Sequence, residues 1–314
     1  MSRRIQSVKS FIPALRWIIA GSLLVACLAI YIPSISSITS ERQMRQVSPV
    51  GDSQLRVENN VLFIRDSEIC RFIPVDGSRM TISLPSTNKF VNINGVDHIT
   101  FVPIDKYINS FLIADIPVSL PLWNYVMEDS IDDEELSGTS IYLGGLSAER
   151  WDEFIKRLNV KTGRVFRLPT MYEWLYAARG GRLSQNYRYS GSDDLAEVAV
   201  FGEKAPDEYE NYIAIGGIKK ANELGLRDMS GSVWELTSTR LYEVDPFLTE
   251  LYNSVKNKAV NPVEGNDGDL LKVETYERRV SMGGAAYSTT EKCALDYLPY
   301  GINIYTGARL VLVH

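Results

Sequence analysis

At 314 residues with 45% hydrophobic content, the chain is long enough to bury one substantial core once its first segment is set aside. A net charge of −6 and a pI near 5.2 disfavour a nucleic-acid partner, because phosphate attraction is missing. There is no G-x-S-x-G elbow, Walker loop or dinucleotide fingerprint, which excludes the reaction classes that those motifs serve.

Residues 1–16 carry Arg3, Arg4, Lys9 and Arg16, and Trp17 to Ile32 follow without a charge, the pattern of an export or membrane signal. A spanning helix needs ~20 apolar residues, a length the run reaches by extending to Ile38, so residues 17–38 are one candidate membrane anchor. Leu24-Val25-Ala26-Cys27 also fits a bacterial lipobox with Cys27 as the lipidated residue, and Ser34 and Ser36 fit a cleavage site after Ser36. The three fates stay open. Each leaves the basic end in the cytoplasm and exports the bulk, either as a single-pass inner-membrane protein with a periplasmic domain or as a lipoprotein. Cys70 and Cys293 then lie where disulfides are tolerated, and sequence does not settle whether they pair.

Residues 39–56 are polar and read as a linker. Val61–Ile64 and Phe72–Val75 read as short strands, and Asn94-Gly95 as a hairpin turn. Residues 57–98 are therefore either a small β extension or the first sheet of the following domain. Glu128 to Glu135 is an acidic, solvated loop. A helix at about 147–159 buries Trp151, Phe154, Ile155 and Leu158. Thr170 with Glu173 forms a capping box for a second helix, whose Met171, Trp174, Leu175 and Ala178 make one apolar stripe before Gly180-Gly181 stops it. Asp245-Pro246 opens a third, with Leu248, Leu251, Tyr252 and Val255 on one face, inside an insertion at 241–278.

Several of these stretches carry a likeness. Residues 167–181 read RLPTMYEWLYAARGG, preceded by Trp151 to Asn159 and, earlier, by Ile116 to Asn124. Residues 222–235 read NELGLRDMSGSVWE, and Arg279 to Gly284 and Gly307 to Val311 close the series. In this order the segments resemble the formylglycine-generating enzyme, or sulfatase-modifying factor, family over roughly residues 99–313. The resemblance implies an α+β, C-type-lectin-like fold with much irregular structure, a domain at 99–314 carrying the 241–278 insertion.

It also implies a site. The matching family positions hold structural calcium through the side chains at Asp228 and Glu235 and the carbonyls at Gly231 and Val233, oxygen donors that suit this cation. The plainer alternative is an acidic turn bonding its own backbone. A second family calcium position falls on Glu197 in place of an asparagine. The family's oxidases use two cysteines that bind copper, since thiolates suit Cu(I). Counted from Gly283-Gly284, the second falls on Cys293 and the first on Ser288, so a two-thiolate copper site is not expected. The usual arginine, serine and tryptophan around that glycine pair are Met282, Ala285 and Ala286. Histidine-ligated iron, used by sulfoxide synthases of this fold, is excluded by having only His98 and His314.

The resulting expectation is a membrane-tethered, exported, non-catalytic binding or scaffold protein whose partners are other envelope proteins, as in a secretion system. Its ligand would sit between the 241–278 insertion and residues 285–306. Two alternatives remain: an oxidoreductase modifying a protein cysteine through Cys293, alone or with Cys70, and a receptor diversified over Ala285 to Tyr305.

Overall fold

The computed structural model describes residues 54–93, 96–129, 141–204, 213–244, 279–296 and 306–313, with side chains described outside 84–102. All belong to one compact unit, Pro49–His314. The candidate anchor at 17–38, Cys27, the expected third helix and nearly all of the insertion lie outside the described residues. Among the described residues no helix is long and apolar enough to cross a membrane.

The unit opens with a meander, β1 (Leu55–Glu58), β2 (Val61–Ile64) and β3 (Ser67–Val75). Asn59 and Asn60 both take positive φ, 50° and 62°, in the two-residue turn that pairs Glu58 with Val61. That is the turn twist antiparallel strands favour, and asparagine tolerates it. A long hairpin follows, β4 (Ser78–Ile93) and β5 (Val96–Ile108), with Ile93 paired to Val96; Asn94-Gly95, the expected turn, lie outside the described residues. Next come β6 (Phe111–Ala114) and α1 (Leu120–Met127), then β7 (Ile141–Leu143) and α2 (Ala148–Thr162). They are followed by β8 (Val165–Arg167), α3 (Met171–Ala178) and the single-turn α4 (Leu195–Val198). The closing strands are β9 (Ile213–Ile215), β10 (Glu235–Arg240), β11 (Arg279–Met282), β12 (Gly307–Ala308) and β13 (Val311–Val313).

Six strands form the main sheet in the order β1-β2-β3-β6-β13-β8. The strands at 55–75 are thus part of this sheet through the β3–β6 pairing and do not stand apart from the domain. β6 sits in its middle and is buried along its whole length, which explains its uninterrupted apolar run Phe-Leu-Ile-Ala. A second sheet places β10 between β11, antiparallel, and β12, parallel.

Both sequence-read helices are present. α2 ends at Gly163, which takes φ 64° at the cap, and buries Trp151, Phe154 and Leu158. Ile155, expected in that stripe, is only half-buried. Trp123 of α1 stacks on Phe154 at 5.2 Å and meets Trp151 edge-on at 5.1 Å, so three rings lock α1 to α2. In α3 the capping box is complete. Thr170 Oγ1 accepts from Glu173 N, and Glu173 Oε2 accepts from Thr170 N. Two apolar clusters result. One joins α1 and α2 to the main sheet, and the other joins α3 to the base of the β4–β5 hairpin and to β11.

Candidate functional site

At the junction of the two sheets the chain buries an ion pair. Glu235 opens β10, paired with Met282 on one side and Gly307 on the other, and Arg309 lies just beyond β12. Both side chains are fully buried, with Arg309 Nη2 at 2.8 Å and Nε at 3.0 Å from the Glu235 carboxylate. Trp174 Nε1 donates to Glu235 Oε2 at 2.7 Å, tying α3 to the same carboxylate. Arg309 also donates to the carbonyls of Ala114 at 2.9 Å and Arg227 at 2.7 Å. Burial alone would lower the Arg309 pKa, but the Glu235 carboxylate outweighs it and holds the guanidinium above its ordinary value. With most donors and both carboxylate oxygens engaged, the pair serves as an anchor between α3, β6 and the closing strands.

Asp228 lies beside this anchor. Its Oδ2 accepts from Tyr142 Oη at 2.8 Å and from Gly217 N at 2.6 Å, while Oδ1 is buried without a hydrogen-bond partner. Burial raises the Asp228 pKa, against the lowering from the Gly217 N–H, the Tyr142 hydroxyl and Arg309. Tyr142 is raised too, by burial and by Asp228.

Of the expected calcium ligands, one carboxylate is already fully engaged in this arrangement. Glu235 gives its oxygens to Arg309 and Trp174, and a dication at that carboxylate would stand against a buried guanidinium. Asp228 retains one open oxygen, Oδ1, and Gly231 sits at φ 80° in a turn so tight that a Cβ there would meet the Val200 carbonyl at 2.3 Å. Gly231 N donates to Gly283 O and Ser232 N to Val200 O, so carbonyls of two neighbouring segments hold the turn in place. Among the described residues no group of three or more His, Cys, Asp or Glu side chains is placed to hold a metal. At the second position, Glu197 Oε2 accepts from Ser192 Oγ at 3.0 Å and lies 3.6 Å from Lys220 Nζ on the surface.

The loop after β11 carries the positions matched to the copper thiols. Cys293 ends a one-turn 3-10 helix and is fully buried, its thiol pushed up to about 12 by burial and by Glu291. A Cβ on Gly284 would come within 2.8 Å of its sulfur, so the glycine lets the loop close over it. Ser288 is also buried. Its Oγ accepts from Ala285 N at 2.9 Å, which folds the hydroxyl into its own turn. A hydroxyl does not replace a thiolate toward Cu(I), so the two-sulfur donor set is not present. Cys70 lies in the main-sheet cluster and Cys293 in a separate small one with Tyr189 and Leu195. Both are free thiols here, which removes Cys70 as a partner of Cys293. His98 lies on β5, and His314 is outside the described residues.

From the sequence Trp174 is only part of an apolar stripe and Arg309 only part of a closing family segment; neither is assigned to this ion-paired centre. The usable signal was an arginine between Ala308 and Leu310, in a run otherwise apolar enough to be buried, which requires a buried anion for it.

An ion-paired centre held between a main sheet, two packed helices and a closing three-stranded sheet defines a mixed helix-and-strand domain rich in loops. Treponema denticola variable protein 1 shares this fold, with a TM-score of 0.51 and 17% identity over 78% of this chain and 95% of that one. Residues 106–298 match the Sulfatase-modifying factor enzyme 1-like domain, and the chain belongs to that family. Chaperone protein LppX of Paenibacillus barcinonensis is 48% identical over 83 residues, 22% of this chain and 30% of that protein. Inactive C-alpha-formylglycine-generating enzyme 2 of Bos taurus is 32% identical over 85 residues, 25% of this chain and 28% of that protein. The matches thus span less than a third of the length of these relatives.

Proposed function

We propose that the chain is a non-catalytic binding protein of the formylglycine-generating-enzyme family, exported and held to a bacterial membrane by residues 17–38 or by lipidated Cys27. The observation that carries this reading is the state of the two thiol positions: Ser288 is a hydroxyl turned into its own backbone, and Cys293 is a fully buried thiol whose pKa burial pushes up to about 12. Nucleophilic or copper-bound sulfur needs the thiolate, which burial opposes here. Relatives named as inactive and as a chaperone support a family member that works by binding protein. An envelope assembly such as a secretion system is the setting we favour, on the export signal.

Affinity capture of the full-length chain from detergent-solubilised membranes of its own cells tests this. One envelope protein recovered in stoichiometric amount, from cells whose extracts leave a cysteine-containing peptide unoxidised by the purified chain, is the expected result. Oxygen-dependent conversion of that peptide's cysteine by the purified chain would overturn it.

A further inference from the structure

The β4–β5 hairpin leaves one edge of β4 unpaired among the described strands, and that edge borders a cleft. Thr81 O accepts from Arg179 Nη1 at 3.3 Å, so the backbone groups of Thr81 face away from β5. Alternate residues of an antiparallel strand direct their N–H and C=O to the same side, so Ser83 faces outward with Thr81. Its register partner on β5 is Pro103, which has no N–H to give. A short stretch of open strand edge therefore lies at the cleft wall, the feature that added strands use.

The cleft has two adjoining lobes that share Arg179, Leu295 and Asp296. The first, of about 360 Å³, has an apolar floor of Ile82, Leu175 and Leu295. The second, of about 430 Å³, is polar, walled by Asn186, Tyr187, Arg188 and Asp193. Each is of the size that holds a ligand group. Arg179 follows the last residue of α3 and is partly buried at the join. Among the described residues its guanidinium makes one hydrogen bond, the long one to Thr81, and it lines both lobes, so its five donors are not used up by the protein there. Burial lowers its pKa, and the nearby Asp296 offsets this only in part. A planar two-oxygen acceptor is the partner that a guanidinium fork takes best. On the same walls Asp193 and Asp296 balance Arg188 and Arg179 in formal charge, which disfavours a dianionic phosphate and favours a singly charged carboxylate.

We propose that this cleft binds an extended peptide that pairs with the outer edge of β4 at Thr81 and Ser83, lays an apolar side chain on Ile82, Leu175 and Leu295, and gives an acidic side chain to Arg179. Both side chains enter the cleft, so they stand two residues apart, in the order apolar–any–acidic or its reverse. The proposal deepens the binding-protein reading above and rests on it, since it supplies the chemistry of the segment captured.

The test uses the full-length chain in detergent with fluorescent, end-capped hexapeptides containing Leu-Thr-Glu or Glu-Thr-Leu. Matched peptides carry Gln for Glu, or a backbone N-methyl group on the central Thr. The Glu peptides should bind about tenfold or more tightly than the Gln peptides, and N-methylation should weaken them. Arg179→Gln should abolish the Glu preference, and Arg179→Lys should keep part of it, both at unchanged melting temperature. Equal binding of Glu and Gln peptides, or a preference that survives Arg179→Gln, would overturn the proposal. Capture of an envelope partner that ignores every peptide overturns the cleft alone, whereas oxidation of a peptide cysteine strikes the binding-protein reading itself.

Discussion

Arg309 and Glu235 show how one pair can decide a fold's centre. Removing either partner leaves the other charge buried and unpaired, a loss of about 3–5 kcal/mol. Arg309→Ala and Glu235→Ala should each unfold at much lower urea concentration, whereas a substitution on the exposed face of α2, such as Lys156→Ala, should not. Asp228 gives a pH signature. Its pKa in the folded chain is raised above the ordinary 3.8, so the fold favours the protonated form. Its contribution to stability is complete below that ordinary value and is lost as pH rises through the raised one. Asp228→Asn should flatten that part of the melting-temperature profile, and an unchanged slope would refute the assignment. With Glu235 committed to Arg309, excess chelator should leave the melting temperature unchanged. In a Cys27→Ser background, Cys70 and Cys293 should react with Ellman's reagent only after unfolding, because both are buried and burial raises both thiols.

Among the elements, α3 was the most legible in the sequence. Its cap, stripe and stop signals are local, and local chemistry suffices to place them. Thr170→Ala should cost about 1 kcal/mol, measured by denaturant titration. Glu173 answers to pH as well. Burial would raise its carboxyl, but the bonds from Arg167 and Thr170 outweigh it and hold the pKa below 4.5, so the cap weakens as pH falls through that lowered value. β6, β8 and β12 were not legible, being two to four residues long and defined only by pairing with distant strands. The carboxylates of the acidic turn at 228–235 were likewise visible in the sequence, whereas the guanidinium that bonds Glu235 lies 74 positions away and was not.

For the whole molecule, the ordered series of family segments identified the domain while the residues within it altered the expected chemistry. Contacts that do not involve Ser288 or Cys293 hold the fold: the Trp174–Glu235–Arg309 link and the three-ring lock of α1 on α2. Ser288 bonds within its own turn and Cys293 packs in a small apolar cluster, so protein contacts place both residues. The proposed binding role would draw on surfaces set by the same frame, with the open edge of β4 beside α3 as one of them. The central claim, a domain of this family without copper-thiol chemistry, is tested most directly by anaerobic Cu(I) titration of the full-length chain against a competing chelator. The account predicts no stoichiometric site. One equivalent of tightly held Cu(I) that is lost in Cys293→Ala and kept in Cys70→Ala would contradict it.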